Sequence, residues 1–131
     1  MTQCDWLNEG FLFLRHGESE NNRLDLVNGW TDSPLTNLGV EQAHAAARVL
    51  SEYPTRRIVT SDLQRARRTA EIVAEVFDGI SVEIEPDLRE RHWGIFEDEP
   101  RAIRPALSEV PEVGERPEDY QRRIIRAMNK T

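Results

Sequence analysis

The sequence predicts an α/β fold, a three-layer sandwich built on a mostly parallel sheet. Three observations predict it. Three short apolar or β-branched runs recur along the chain, amphipathic helical stretches separate and follow them, and polar residues of functional type stand just after each run. Strands alternating with helices form parallel sheets, because each crossover brings the chain back to run in the same direction. The length of 131 residues fits one domain, 1–131.

The first run, Phe11-Leu12-Phe13-Leu14, lies between Gly10 and Gly17 and predicts a strand buried on both faces. Residues 18–28 are polar, and Gly29-Trp30-Thr31-Asp32-Ser33-Pro34 carries turn formers, so this stretch is expected to be loop. Thr36 is an N-cap for a helix whose apolar face is Val40, Ala43, Ala47 and Leu50, ended by Pro54. Ile58-Val59-Thr60 is the second strand. Ser61 or Asp62 then caps a helix to about Phe77, with Ala66, Ala70, Val73 and Phe77 inward and Gly79 at its stop. Val82 and Ile84 alternate with Glu83 and Glu85 as a third strand before Pro86. Residues 97–117 are acidic and proline-rich, an excursion. Pro117 opens a last helix with Glu118 and Asp119 in its first turn and Arg126 and Lys130 near its end, as the helix dipole favours. Tyr120, Ile124 and Met128 form its stripe.

Bulk properties narrow the function. Hydrophobic residues make up 38% and charged residues 31%, enough for a core. The net charge of −7 repels nucleic acids and anionic membrane surfaces, so neither is an expected partner. The single cysteine, Cys4, excludes an internal disulfide and fits a cytoplasmic location. Asp5, Asn8 and Glu9 argue against a signal peptide, and no apolar run approaches the roughly 20 residues of a membrane span.

Ligands of open α/β sheets bind at the carboxyl ends of the strands. Arg15-His16-Gly17 follows the first run, Arg65 opens the helix after the second, and Glu90 follows the third. Arg15 offers a guanidinium fork for phosphate oxygens, Gly17 permits a close backbone approach, and neutral His16 is a nucleophile. A nucleophile, an anion clamp and a carboxyl proton donor are what phosphoryl transfer from an ester needs. Taken singly, each has a bland explanation: Arg65 as a solvated helix residue, Glu90 as a surface carboxylate, His44 and His92 as packing or surface residues, Trp30 and Trp93 as walls or core. Arg67 and Arg68 point elsewhere by helical geometry.

The ordered blocks resemble the histidine phosphatase (phosphoglycerate mutase-like) superfamily. Leu14-Arg15-His16-Gly17-Glu18-Ser19-Glu20-Asn21-Asn22 is similar to its Leu-x-Arg-His-Gly-Glu-Ser-x-x-Asn signature. Gly29 to Thr36 with Gly39 and Gln42-Ala43, Thr60 to Ala66 with Thr69 and Ala70, Glu90-Arg91-His92-Trp93-Gly94, and Gly114-Glu115 with Asp119 to Arg123 resemble the next blocks. The resemblance implies that His16 accepts the phosphoryl group, Glu90 protonates the leaving oxygen, and Arg15 and Arg65 hold phosphate, with Asn22 and Gly29 beside it. It implies a small phosphorylated substrate and neither metal nor cofactor. The physics adds two expectations: Arg15 and Arg65 keep His16 neutral, and the same arginines push Glu90 towards ionisation until a phosphate dianion reverses them.

The family's second histidine, in a Ser/Ala-His-Gly turn after a late strand, has no counterpart here, since His16, His44 and His92 all lie elsewhere. The expected fold therefore lacks the family's C-terminal strand, which pairs beside the first. Phe11–Leu14 is then left with an apolar edge that invites homo-oligomer formation. Three activities follow in order: phosphomonoester hydrolysis through phosphohistidine; a phosphoglycerate mutase reaction, with Arg91 and Arg101 for a substrate carboxylate; and an impaired phosphate-binding remnant.

Overall fold

The structure is a computed structural model that describes residues 10–130. Cys4 and the signal-peptide reading at Asp5, Asn8 and Glu9 lie outside the described residues. The elements run α1 (Glu20–Arg23), α2 (Asn37–Leu50), β1 (Ile58–Thr60), α3 (Gln64–Ala74), β2 (Val82–Ile84) and α4 (Pro117–Lys130), with short 3-10 turns at Pro86–Leu88, Gly94–Phe96 and Arg101–Ile103. The architecture is mixed α/β with a parallel sheet. β1 pairs with β2 in the register Ile58–Val82, Val59–Glu83 and Thr60–Ile84.

Local chemistry explains most boundaries. Thr36 caps α2 by accepting the Gly39 N–H at 3.0 Å. Its buried stripe is Gly39, Ala43 and Ala47, with Val40 and Leu50 half-buried and His44 exposed. α3 is not capped by Ser61 or Asp62. Leu63 takes the N-cap position without a side-chain bond, and Asp32, from the preceding loop, accepts the Gln64 N–H at 2.7 Å. A long-range carboxylate thus does what the local residues were expected to do. The α-helix ends at Ala74 and continues as tightened turns, with bonds to the third residue back, the last from Phe77 N–H to the Ala74 carbonyl at 3.1 Å. The inward face of α3 is Arg65, Thr69, Ile72 and Val73 with Ala70, so it turns Arg65 rather than Ala66 to the interior.

Two further expectations fail. Residues 18–28 are not all loop: Ser19 and Asn22 form a reciprocal capping box that starts α1. Phe11–Leu14 is not a strand. Phe11, Leu12, Phe13 and Leu14 are all exposed, Phe13 at 87%. Apolar content gives strand propensity, but a strand exists only when paired, and among the described residues no segment lies in register beside it.

The excursion is anchored rather than free. Val27 and Asp98 exchange bonds with Glu99 and Val27 (2.9 Å each), and Leu26 bridges Pro100. α4 turns Arg123 and Ala127 inward, with Tyr120, Ile124 and Met128 half-buried around them. The buried apolar side chains are mostly small or few: Val27, Ala43, Ala47, Leu63, Ala70, Ile72, Val73, Trp93 and Ala127. Buried polar residues, among them Ser19, Asn21, Asn28, Arg65, Arg91 and Arg123, hold the rest together.

Candidate active site

Two close backbone contacts place His16. A Cβ on Gly17 would lie 2.2 Å from the Gly39 carbonyl oxygen, and one on Gly39 would lie 2.1 Å from the Glu18 oxygen. Only glycine allows the His16 loop to cross the first turn of α2 this closely. The crossing is then stitched by Thr36 N–H to Glu18 O (2.9 Å), Glu20 N–H to Pro34 O (2.8 Å) and Glu18 N–H to Gln42 Oε1 (2.8 Å). Gly17 N–H donates to Thr69 Oγ1 at 3.1 Å, and the Thr69 hydroxyl donates to the Arg65 carbonyl at 2.7 Å. His16 is thereby tied to the same helix that carries Arg65.

His16 Nδ1 donates to the Gly17 carbonyl at 2.6 Å. A carbonyl can only accept, so the proton sits on Nδ1 and the Nε2 lone pair is left for a substrate. Burial lowers the His16 pKa below its ordinary 6.5. The Gly17 bond opposes this, and Arg65 and Arg15 add smaller lowering effects. The imidazole is therefore neutral chiefly because it is desolvated, with the arginines in support.

Arg65 is 1% exposed. It donates to Thr31 O and Gly29 O at 2.7 Å each and to Glu90 Oε2 at 3.1 Å. Gly29 adopts φ +54°, and a Cβ there would meet the Glu97 carboxylate at 2.1 Å. Glu97 Oε2 accepts the N–H groups of Trp30 and Trp93, both at 2.9 Å, and so joins the Gly29 turn to the Glu90 segment. Glu90 has its pKa raised above 4.5, with burial outweighing Arg65, Arg104 and Arg15, although 38% of its side chain reaches solvent. This reverses the expected sign: without any bound anion, desolvation already favours the protonated acid.

The remaining candidates divide. Arg15 is exposed and its charge reaches both His16 and Glu90. Asn22 spends its carbonyl oxygen on Ser19 N–H (2.9 Å), which leaves its NH2 group without an acceptor among the described residues. Arg91 is turned away. It is buried, stacks 4.4 Å over Trp93, and donates to the carbonyls of Glu115 (3.2 Å), Leu107 (2.5 Å) and Glu109 (2.5 Å). Three of its five N–H groups are spent on backbone acceptors, and with them Arg91 holds the excursion. Arg101 stands 3.9 Å from Asp25 at the surface. His92 makes an edge contact with Trp30, centroids 4.5 Å apart. Among the described residues no cluster of His, Cys, Asp or Glu is arranged to hold a metal ion. No described helix is long and apolar enough to cross a membrane.

Sequence reasoning missed Glu97, whose partner Trp30 lies 67 residues away, and quoted Glu115 and Arg123 only as part of a resembling block, without a role. It quoted Thr69 without giving it a role.

A model of the histidine phosphatase superfamily (branch 1) matches residues 11–131. The chain belongs to the histidine phosphatase superfamily. Within it, the chain is 48% identical over 84 residues to the probable phosphoglycerate mutase GpmB of Photorhabdus laumondii, covering 64% of this chain and 39% of that protein. It is 45% identical over 85 residues to the corresponding Serratia proteamaculans protein, covering 65% and 39%. A solved mycobacterial glucosyl-3-phosphoglycerate phosphatase, in complex with VO3, superposes with a TM-score of 0.77 at 35% identity, over 84% of this chain and 58% of that one. The chain thus spans about two fifths of the length of the curated relatives it matches.

Proposed function

We propose that this histidine phosphatase chain hydrolyses a small phosphomonoester through a phosphohistidine at His16. One observation carries the reading: the 2.6 Å bond from Nδ1 to the Gly17 carbonyl presents Nε2 as a lone pair, in a loop tied through Thr69 to the helix that carries Arg65. In the first step Nε2 attacks phosphorus, the P–O bond to the leaving alcohol breaks, and the Glu90 carboxylic acid gives its proton to the departing oxygen. In the second, water attacks phosphorus, the P–N bond breaks, and the Glu90 carboxylate takes the water proton. Arg15 and the NH2 group of Asn22 are the donors free to meet phosphate oxygens, while Arg65 balances Glu90 and fixes the Gly29 turn.

A mutase reaction is the second reading, favoured by the names of the curated relatives. Against it weigh the three carbonyls that Arg91 already meets and the Asp25 carboxylate 3.9 Å from Arg101, which compete with a substrate carboxylate for both residues. Cytoplasmic location remains part of the proposal, resting on the single cysteine.

The test is hydrolysis of para-nitrophenyl phosphate by the 131-residue chain with chelator present. Activity that resists chelator and is lost in His16→Ala supports the proposal. Phosphate binding without turnover in a folded sample supports the impaired remnant instead. Activity retained in His16→Ala rules out the phosphohistidine route.

A further inference from the structure

Arg123 on α4 is buried, and every hydrogen bond its guanidinium donates leaves its own helix. Its guanidinium donates to the backbone carbonyls of Asp87 (2.7 Å), Arg89 (2.8 Å) and Glu90 (3.2 Å). The remaining donors meet both carboxylate oxygens of Glu115, at 2.9 and 2.8 Å. Glu115 Oε1 also accepts the His92 N–H at 3.2 Å, so the ion pair brackets Glu90 from both sides in sequence. The Glu90 carbonyl takes a second donor, Trp30 Nε1, at 2.8 Å, and Trp30 lies 5.7 Å under the Arg123 guanidinium. Two separate stretches of sequence therefore converge on the Glu90 carbonyl, and a third, through Glu115, holds His92 two residues on. Five donated bonds exceed what is needed to dock a helix, and all the backbone acceptors belong to the turn that delivers Glu90.

We propose that Arg123 is a positioning residue that fixes the Glu90 carboxyl by gripping the backbone at and before it. The inference rests on Glu90 being the proton donor of the proposed function. α4 therefore acts on the reaction without reaching the substrate. A rigid turn keeps the Glu90 carboxyl in its crowded setting, where desolvation outweighs Arg65 and raises its pKa, and holds it aimed at the leaving oxygen. A loosened turn lets the carboxyl swing further into water, which removes the cause of that rise. The charged and titratable groups facing Glu90 are Arg65 from α3, Arg15 from the His16 loop, Arg104 from the excursion and Tyr120 from α4.

The experiment uses Arg123→Lys, which keeps the charge and loses the planar fork. The Glu90 carboxyl is titrated by carbon-detected NMR, with His16 as an internal reference. The expected result is a downward shift of the Glu90 midpoint towards that of an ordinary glutamate, with His16 unmoved. Kinetically, phenyl phosphate, a poor leaving group that needs its proton, should lose about tenfold more rate than para-nitrophenyl phosphate. A lower melting temperature with an unmoved Glu90 midpoint overturns the proposal and leaves Arg123 a purely structural residue. If the wild-type chain hydrolyses neither ester, the hydrolase reading fails on its own and the Glu90 midpoint alone judges Arg123. Should Arg123→Lys not fold, Glu115→Gln loosens the same fork and is expected to give a smaller shift in the same direction; no shift there overturns the proposal.

Discussion

At the scale of single residues, the site works by desolvation, and that sets its pH behaviour. Burial is the main cause both of the lowered His16 pKa and of the raised Glu90 pKa. His16 binds a proton less tightly folded than unfolded. Its contribution to stability is therefore lost as pH falls from 6.5 through the lowered folded midpoint. Glu90 has the opposite sign: its contribution is fully present below pH 4.5 and is lost as pH rises through the raised folded midpoint. Titrating the imidazole by NMR should give a midpoint below 6.5, and His16→Asn should flatten the acid-side fall in stability. A midpoint at or above 6.5 contradicts the desolvated site. In kcat/KM against pH, Glu90→Gln should abolish the limb on which activity falls with rising pH.

At the scale of elements, the first turn of α2 and the His16 loop behave as one unit. Replacing a helical glycine with alanine ordinarily stabilises by about 1 kcal/mol. Gly39→Ala should do the opposite, because the new methyl would lie 2.1 Å from the Glu18 carbonyl oxygen, a backbone atom with little freedom to retreat. Overpacking of this kind costs about 1–3 kcal/mol, and denaturant unfolding of Gly39→Ala reads it directly. A stability equal to or above the parent chain would mean that the loop moves freely.

These elements also show what the sequence makes legible. Thr36, β1, β2 and Pro117 carry local signals of capping, β-branching and fixed φ, and the structure follows them. The cap on α3 did not show, because its carboxylate, Asp32, is 32 residues from Gln64. Arg65 was legible as a residue near the site but not as a buried one. Its partners are the carbonyls of Gly29 and Thr31, which carry no sequence signature. The backbone partners of Arg91 and Arg123 were hidden for the same reason, and Glu97 was given no role. A motif shows which side chains matter but not which backbone atoms they hold.

At the scale of the whole molecule, the described chain has an unusual balance. Its buried interior is rich in polar residues, while Phe11, Leu12, Phe13 and Leu14 stand 55%, 56%, 87% and 40% exposed in one continuous run. Four adjacent large apolar side chains with strand-forming propensity offer a surface for another copy of the same run, since pairing the two runs buries their side chains. The net charge of −7 opposes that association at long range, and salt screens it. The 131-residue chain should therefore self-associate with rising concentration, more strongly at high salt than at low. Sedimentation velocity across the micromolar range tests this. The double variant Leu12→Asp, Phe13→Asp should remain monomeric, because it places two like charges on the paired run and removes the most exposed of its apolar side chains. A wild-type monomer at every concentration and salt level, with a cooperative melting transition, would show that the polar network alone makes this chain a self-sufficient unit.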